Sequence, residues 1–416
     1  MNLAHGFVTA PHEYCPFMPV FAPPQVMFER GSGTELWDVN GRRYLDFLSG
    51  IAVVSLGHAN PIVARAVSEQ MIRLAHVSNF FANPVATKAA ADIDALIAEV
   101  TGHQGQVFLC NSGAEANEAA IKLARKFGGR GRHTVVSAYG SFHGRTLATL
   151  AATGQPAKHE PFQPMPEGFR HVAYGDIAAL DDAIDGSVAA VLLESIQGEG
   201  GVVDGGSEYL SEVRRLCDEA GILMMIDEVQ TGLARTGQWF GFQSSEKDSV
   251  TPGVVTRPHV TPDVVTMAKA LGNGFPVGAC WAKKEVAAVF RPGDHGSTYS
   301  GTAIAGAAIS AVISEMRRID APRLARERGA YLTEILSSIP EVDGVRGRGL
   351  LLAVELGPTR NSKAVNDELI ARGMIANAVT STALRLAPPL TVSTSEIDEF
   401  ASTLRSVLAE GIGVVS

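Results

Sequence analysis

The stretch Pro262-Asp-Val-Val-Thr-Met-Ala-Lys269-Ala-Leu-Gly272-Asn-Gly274 holds a short apolar run that stops at a lysine. Val264 and Val265 read as a strand buried on both faces, the habit of a parallel sheet. Lys269 follows at the strand's end, and Gly272 and Gly274 then allow a sharp turn and close approach of backbone to a ligand. An amine placed there loses hydration, so its neutral form is favoured. A neutral amine attacks carbonyls, which makes Lys269 a candidate for covalent chemistry with a carbonyl-bearing cofactor. Taken alone, a lysine is more often a solvated residue opening a loop.

The pattern repeats outward from this stretch. Gln106–Cys110, Thr134–Val136, Ala189–Leu193 and Ile222–Ile226 are further buried runs. Between them lie helical segments such as the one marked by Ala116, Ala119, Ala120, Leu123 and Ala124. From Val85 to about Met316 strands and helices alternate, which predicts an α/β class with a mostly parallel central sheet. After Met316 the pattern changes. Leu350–Val354 and Ala383–Leu386 read as strands of a smaller layer, and Ser393-Thr-Ser-Glu396 opens the last helix with a capping box. Ile397, Phe400, Ala401, Leu404 and Leu408 form that helix's buried face. At the other end, Pro11, Pro16, Pro19, Pro23 and Pro24 predict irregular chain. Asn40-Gly41 predicts a two-residue hairpin between Glu35–Val39 and Arg42–Asp46, and a helix is expected over Pro61–Leu74. Phe47–His58 ends in glycine and polar residues that suit a loop lining a site.

A chain of 416 residues, 46% apolar, buries a large core and is expected to divide in two. We expect 1–75 to hold an N-terminal segment and part of a small domain, 76–316 the large domain, and 317–416 the rest of the small one. A net charge of −9 argues against nucleic acid or an anionic membrane surface as partner. The N-terminus lacks the layout of a signal peptide. Cys15, Cys110, Cys217 and Cys280 are far apart, without metal-like spacing, which suits a reducing cytoplasm. Ser244 to Pro258 reads as an exposed loop.

Several stretches add chemistry. Ser112-Gly113-Ala114 stands between a strand and a helix, where free backbone N–H groups cradle a phosphate. Asp227 ends a buried strand, where ligands sit in open α/β sheets, and an aspartate there can keep a pyridinium nitrogen protonated. Its alternative is a helix N-cap. Phe142 offers a face for a flat ring, and Arg145 a bidentate grip on a carboxylate. Glu199 follows another strand end, and Gly296-Ser297-Thr298 supplies hydroxyls. Arg385 lies on an otherwise apolar strand and needs a partner, which a structural salt bridge could equally be.

Asn111–Glu115, Ser141–Thr146, Gln197–Gly201, Asp227–Gly232, Lys269 and Gly296–Thr298 come in one order over nearly the whole chain. In this the sequence resembles the class III aminotransferases dependent on pyridoxal 5'-phosphate. The run Ser141–Gln155 followed by Pro166–His171 is similar to members acting on acylated diamino acids. The resemblance implies a fold type I architecture, with a smaller α+β domain made from both chain ends, and a homodimer with shared active sites. By the same likeness Lys269 is the cofactor lysine and general base, and Asp227 partners the ring nitrogen. Gln230 lies near the phenolic oxygen, and Val229 and Phe142 pack on the two faces. Ser112, Gly113, Ala114 and the partner subunit's Thr298 hold the phosphate. Arg145 and Ser297 hold the donor, and Arg385, with Glu199 as alternate partner, holds the α-carboxylate of glutamate. Ile51 stands where ornithine transaminases carry a tyrosine, which favours an acylated donor such as N-acetylornithine, with 2-oxoglutarate as acceptor. Ornithine, 4-aminobutyrate and succinyl-diaminopimelate stay open as donors, as do an aminomutase and a non-catalytic module. The sequence departs from the family pattern at Ser55, Ser195 and Ser300–Ala303.

Overall fold

A computed structural model describes residues 17–243 and 260–414, so Cys15, Pro11, Pro16 and the expected loop from Ser244 to Pro258 lie outside the described residues. The centre is a seven-stranded sheet: β1 (Gly105–Cys110), β2 (Thr134–Ala138), β3 (Phe169–Val172), β4 (Val188–Glu194), β5 (Leu223–Asp227), β6 (Val264–Met267) and β7 (Gly278–Lys283). Across the sheet the order is 3-2-4-5-6-7-1. Only β7 runs antiparallel to its neighbours; the other pairs are parallel.

The apolar runs form the middle of this sheet because helices cover both of its faces. Every residue of β4, β5 and β6 is buried. Full burial of an aliphatic side chain contributes about 1.5–3 kcal/mol against leaving it in water. Helix α1 (Gly113–Gly128) lies close against the sheet because its inner face is built mainly of alanine. Ala116, Ala119, Ala120 and Ala124 are all fully buried. Two strands escape sequence reading. Phe169–Val172 is a short edge strand, and Gly278-Ala-Cys-Trp-Ala-Lys283 carries no alternation. A glycine is required at the start of β7, since a Cβ on Gly278 would meet the Ser112 carbonyl oxygen at 2.4 Å.

Both chain ends build one further sheet. Phe28–Ser32, Glu35–Asp38 and Arg43–Asp46 are joined by Met374–Ile375, which pairs parallel with Arg43–Asp46. A second sheet contains Gly344–Arg348, Leu351–Glu355, Ala383–Leu386 and Asn377–Ala378. The hairpin at Asn40-Gly41 is wider than expected. Asp38 N–H donates to the Arg42 carbonyl at 3.0 Å, which leaves three residues in the loop. The Asp38 carboxylate accepts from the N–H groups of Asn40 and Arg42, both at 2.9 Å, and Gly41 takes a φ of +80°. That is the three-residue hairpin with a left-handed glycine. The helix Pro61–Arg73 and the terminal helix Thr394–Ala409, with its Ser393–Glu396 capping box, form where the sequence places them.

The departures from the family pattern have local uses. Ser55 Oγ accepts from Arg235 at 2.9 Å, and Ser195 Oγ donates to Glu228 at 3.2 Å. Ser300 Oγ donates to the Leu109 carbonyl at 2.5 Å, and Thr302 caps the helix Ala303–Arg318. Among the described residues no helix is long and apolar enough to cross a membrane, and no cluster of His, Cys, Asp or Glu could hold a metal ion.

Candidate active site

Loops at the C-terminal ends of the parallel strands enclose a cavity of about 400 Å³. That is ample for a small aromatic cofactor with a substrate beside it. The wall includes Ser112, Gly113, Ala114, Phe142, Arg145, Glu199, Asp227, Val229, Gln230 and Lys269.

Lys269 does not end β6 itself. The strand stops at Met267, and Lys269 opens a one-turn helix, Lys269–Leu271, with a φ of +46°. A left-handed lysine is strained backbone, the kind held in place by surrounding structure at functional sites. Burial, and then the charge of Arg385, push its amine below the usual lysine range. Asp227, Glu199 and Glu194 pull the other way without restoring it. The amine is therefore more readily neutral, as a nucleophile or a proton acceptor must be.

Asp227 is 4% exposed and engages both carboxylate oxygens. Oδ1 accepts from Val229 N–H at 3.0 Å. Oδ2 accepts from Asn117 Nδ2 at 2.7 Å and meets His143 Nδ1 at 2.9 Å. Asn117 is itself fixed by Thr266 Oγ1, which donates to its Oδ1 at 2.7 Å. Burial works against a charge on His143, but the hydrogen bond and charge of Asp227, with Glu194 beside it, raise its pKa above the ordinary histidine value. Glu194 moves up as well, chiefly by burial. Asn117, His143, Glu194 and Thr266 were not singled out from sequence. Asn117 reads as a polar position on a helix, and only the fold shows it 1% exposed.

The walls are shaped by absent side chains. A Cβ on Gly198 would fall 1.5 Å from Gln230 Oε1, and one on Gly113 would meet the Val229 methyls at 2.9 and 3.0 Å. Gln230 Nε2 is buried with no hydrogen-bond partner. An unpaired buried donor facing a cavity fits a ligand with an acceptor oxygen. At the start of α1 Ser112 Oγ accepts from Glu115 N–H at 3.2 Å, and the Glu115 carboxylate accepts from Asn111 N–H at 2.7 Å. These contacts leave the N–H groups of Gly113 and Ala114 facing the cavity without intrahelical acceptors. The donors, the flat Phe142 face and the depressed lysine fit pyridoxal phosphate.

Other predicted residues stand outside the wall. Arg385 is 1% exposed and sits behind Glu199, its Nη1 2.7 Å from Glu199 Oε1 and its Nη2 2.9 Å from Asn377 Oδ1. Ser297 Oγ accepts from Asn111 Nδ2 at 3.3 Å, whereas Thr298 points to the surface. Ile51 is 36% exposed beside the cavity residue Val53, with a φ of +67°.

Comparison with known proteins agrees with this architecture. The family model of class-III aminotransferases matches residues 19–408. Among curated relatives, acetylornithine aminotransferase of Gloeobacter violaceus is 44% identical, covering 94% of this chain and 95% of its own. That of Methanothermobacter thermautotrophicus is 40% identical, over 94% and 96%. Among solved structures, ornithine aminotransferase of Toxoplasma gondii superposes with a TM-score of 0.85 at 30% identity, over 95% of this chain and 92% of its own. N-acetylornithine aminotransferase of Stenotrophomonas maltophilia gives 0.77 at 32%, over 94% and 97%. Another Toxoplasma structure is described with pyridoxal phosphate partly occupying its active site. The match over nearly the whole length, on a site with a depressed lysine and a paired aspartate at strand ends, places the chain in the class-III aminotransferases, as a pyridoxal-phosphate-dependent enzyme that takes an amino donor and a keto-acid acceptor.

Proposed function

We propose that the enzyme moves the terminal amino group of N2-acetyl-L-ornithine to 2-oxoglutarate, giving N-acetylglutamate semialdehyde and glutamate, a step of arginine biosynthesis. The observation that carries this reading is a pair of separate arginines at one site, Arg145 on the cavity wall and Arg385 behind the wall residue Glu199. Arg145 lines the cavity with no acidic partner among the described residues, while Arg385 is covered by Glu199 at 2.7 Å. A donor reacting at its far amine keeps its carboxylate at a distance from the reacting centre, within the province of Arg145. Glutamate reacts at its α-carbon and brings a carboxylate close to the centre, where Arg385 would take it. Uncovered and unmatched, Arg385 would be a costly buried charge, and Glu199 offsets that cost while the donor is bound. The identity with relatives named acetylornithine aminotransferase supports the same donor.

Bound in the cavity, the cofactor supplies an aldehyde for the amine and an electron-withdrawing ring. In our reading Ser112, Gly113 and Ala114 hold its phosphate, joined by the partner subunit's Thr298. Phe142 and Val229 would flank the ring, Gln230 would donate to its phenolic oxygen, and Asp227 would partner the ring nitrogen. Lys269 Nζ takes a proton from the substrate carbon and returns it. Arg145 and Ser297 orient the donor, and Ile51 offers an apolar neighbour to an acylated end. We further propose a homodimer in the cytoplasm, with domain divisions near residues 75 and 316. Support for the dimer is the apolar surface near Thr298, where Phe80 is 91% and Phe81 71% exposed. Free thiols at Cys110, Cys217 and Cys280 are compatible with a reducing compartment.

The test is a panel of donors with 2-oxoglutarate, repeated on Glu199→Ala with each half-reaction followed in single turnovers. N-acetylornithine should lead the panel, and the variant should slow the acetylornithine half-reaction while sparing the glutamate one. Free ornithine or 4-aminobutyrate in the lead, or an equal fall in both half-reactions, would overturn the reading.

A further inference from the structure

We propose that Lys158 is a second cation of the donor site, which with Arg145 closes on the far carboxylate of the amino donor. This rests on the donor reading above and deepens it. Lys158 ends a one-turn helix, Pro156–Lys158, beyond the loop that carries Phe142. Its Nζ lies 5.9 Å from the centroid of the Phe142 ring, and Arg145 Cζ lies 5.6 Å from the same centroid. Two cations thus share one aromatic ring at the edge of the cavity.

Neither has an acid of its own. Among the described residues no carboxylate forms an ion pair with either, and the Lys158 ammonium donates to the neutral Gln155 Oε1. Gln155 is in turn fixed, since its Nε2 donates to the Ser141 carbonyl at 2.9 Å. Lys158 is therefore tied to the backbone beside Phe142 rather than left to wander in solvent. Burial and the like charge of Arg145 weaken its hold on a proton, and Glu199 restores part of it. Like charges placed together without an anion repel, and the natural relief is a ligand carboxylate between them. A carboxylate has four lone-pair sites, so it can accept the guanidinium fork and an ammonium together. Arg145 alone fixes direction, and Lys158 adds a point charge that selects donors bearing a carboxylate at the far end.

The experiment uses holoenzyme, wild type against Lys158→Met and Lys158→Arg. Its probes are N-acetylornithine and N-acetylputrescine, which differ by that carboxylate alone. We expect Lys158→Met to lower the preference for N-acetylornithine about tenfold, through KM rather than kcat, and Lys158→Arg to restore most of it. In calorimetry, binding of the unreactive analogue N-acetyl-L-norvaline should weaken by a similar factor. An unchanged preference, or an equal loss on both donors, would show that Lys158 only packs against Phe142 and would overturn the proposal. If wild type ignores N-acetylornithine, the donor reading fails separately. The same ratio, measured on the carboxylate-bearing donor it does use and the decarboxylated counterpart, then decides the role of Lys158.

Discussion

Asp227 ends β5 and Lys269 follows the neighbouring β6, the amine's hold on a proton weakened by burial and the carboxylate ringed by donors. The lysine makes a prediction about the protein without its cofactor. Its folded-state pKa lies below the ordinary lysine value, so between the two the unfolded chain binds more protons than the folded one. Below the folded pKa the buried charge penalises the native state in full. As pH rises toward the ordinary lysine value that penalty is relieved. Lys269→Met should therefore be more stable than wild type near about pH 7, and its advantage should shrink toward about pH 10. Denaturant unfolding of the two apoproteins over that range is the measurement. A pH-independent difference would mean that the amine is solvated. Both residues were legible in sequence because each directly follows or ends a β-branched or apolar run. Their supports were not, since Asn117 and His143 reach Asp227 from positions 110 and 84 residues away in the chain.

Helix α1 shows how an element makes a site. Its alanine face lets it settle on the sheet, and its capped start presents N–H groups to the cavity. Gly113 has to stay small because a Cβ there would meet a Val229 methyl at 2.9 Å. Gly113→Ala would push Val229 into the space the ring needs. Cofactor affinity should drop at least tenfold while thermal stability changes little, read by equilibrium dialysis beside a melting curve. Unaltered affinity would remove Gly113 and Val229 from the cofactor site. At this scale the sequence was readable wherever residue type and period agreed, as in β4, β5 and β6. It was silent for β7, whose Gly-Ala-Cys-Trp-Ala-Lys run carries no alternation and is set by close approach to β1 and Ser112. The hairpin was readable in place but not in length, because the Asp38 carboxylate stabilises one more residue in the loop.

For the whole molecule, the two chain ends meet in one sheet, Ile51 follows its strand Arg43–Asp46, and Arg385 lies on a second small sheet, whereas Lys269 follows a strand of the seven-stranded one. Asn79 Nδ2 donates to the Ser297 carbonyl at 3.1 Å, joining the exposed Phe80–Phe81 segment to the loop bearing Thr298. If a second copy covers that surface, each site needs both chains. Mixing inactive Lys269→Ala with a Thr298 variant weakened in cofactor binding should then regain part of the activity through hybrid dimers. A fully active monomer in sedimentation would refute the shared site. Every role assigned to the site depends on one lysine, Lys269, holding the cofactor. Holoenzyme reduced with borohydride and digested should carry its pyridoxyl group on the peptide containing Lys269, with loss of activity in step with labelling. A label on any other lysine, or full activity in a preparation labelled at Lys269, would contradict it.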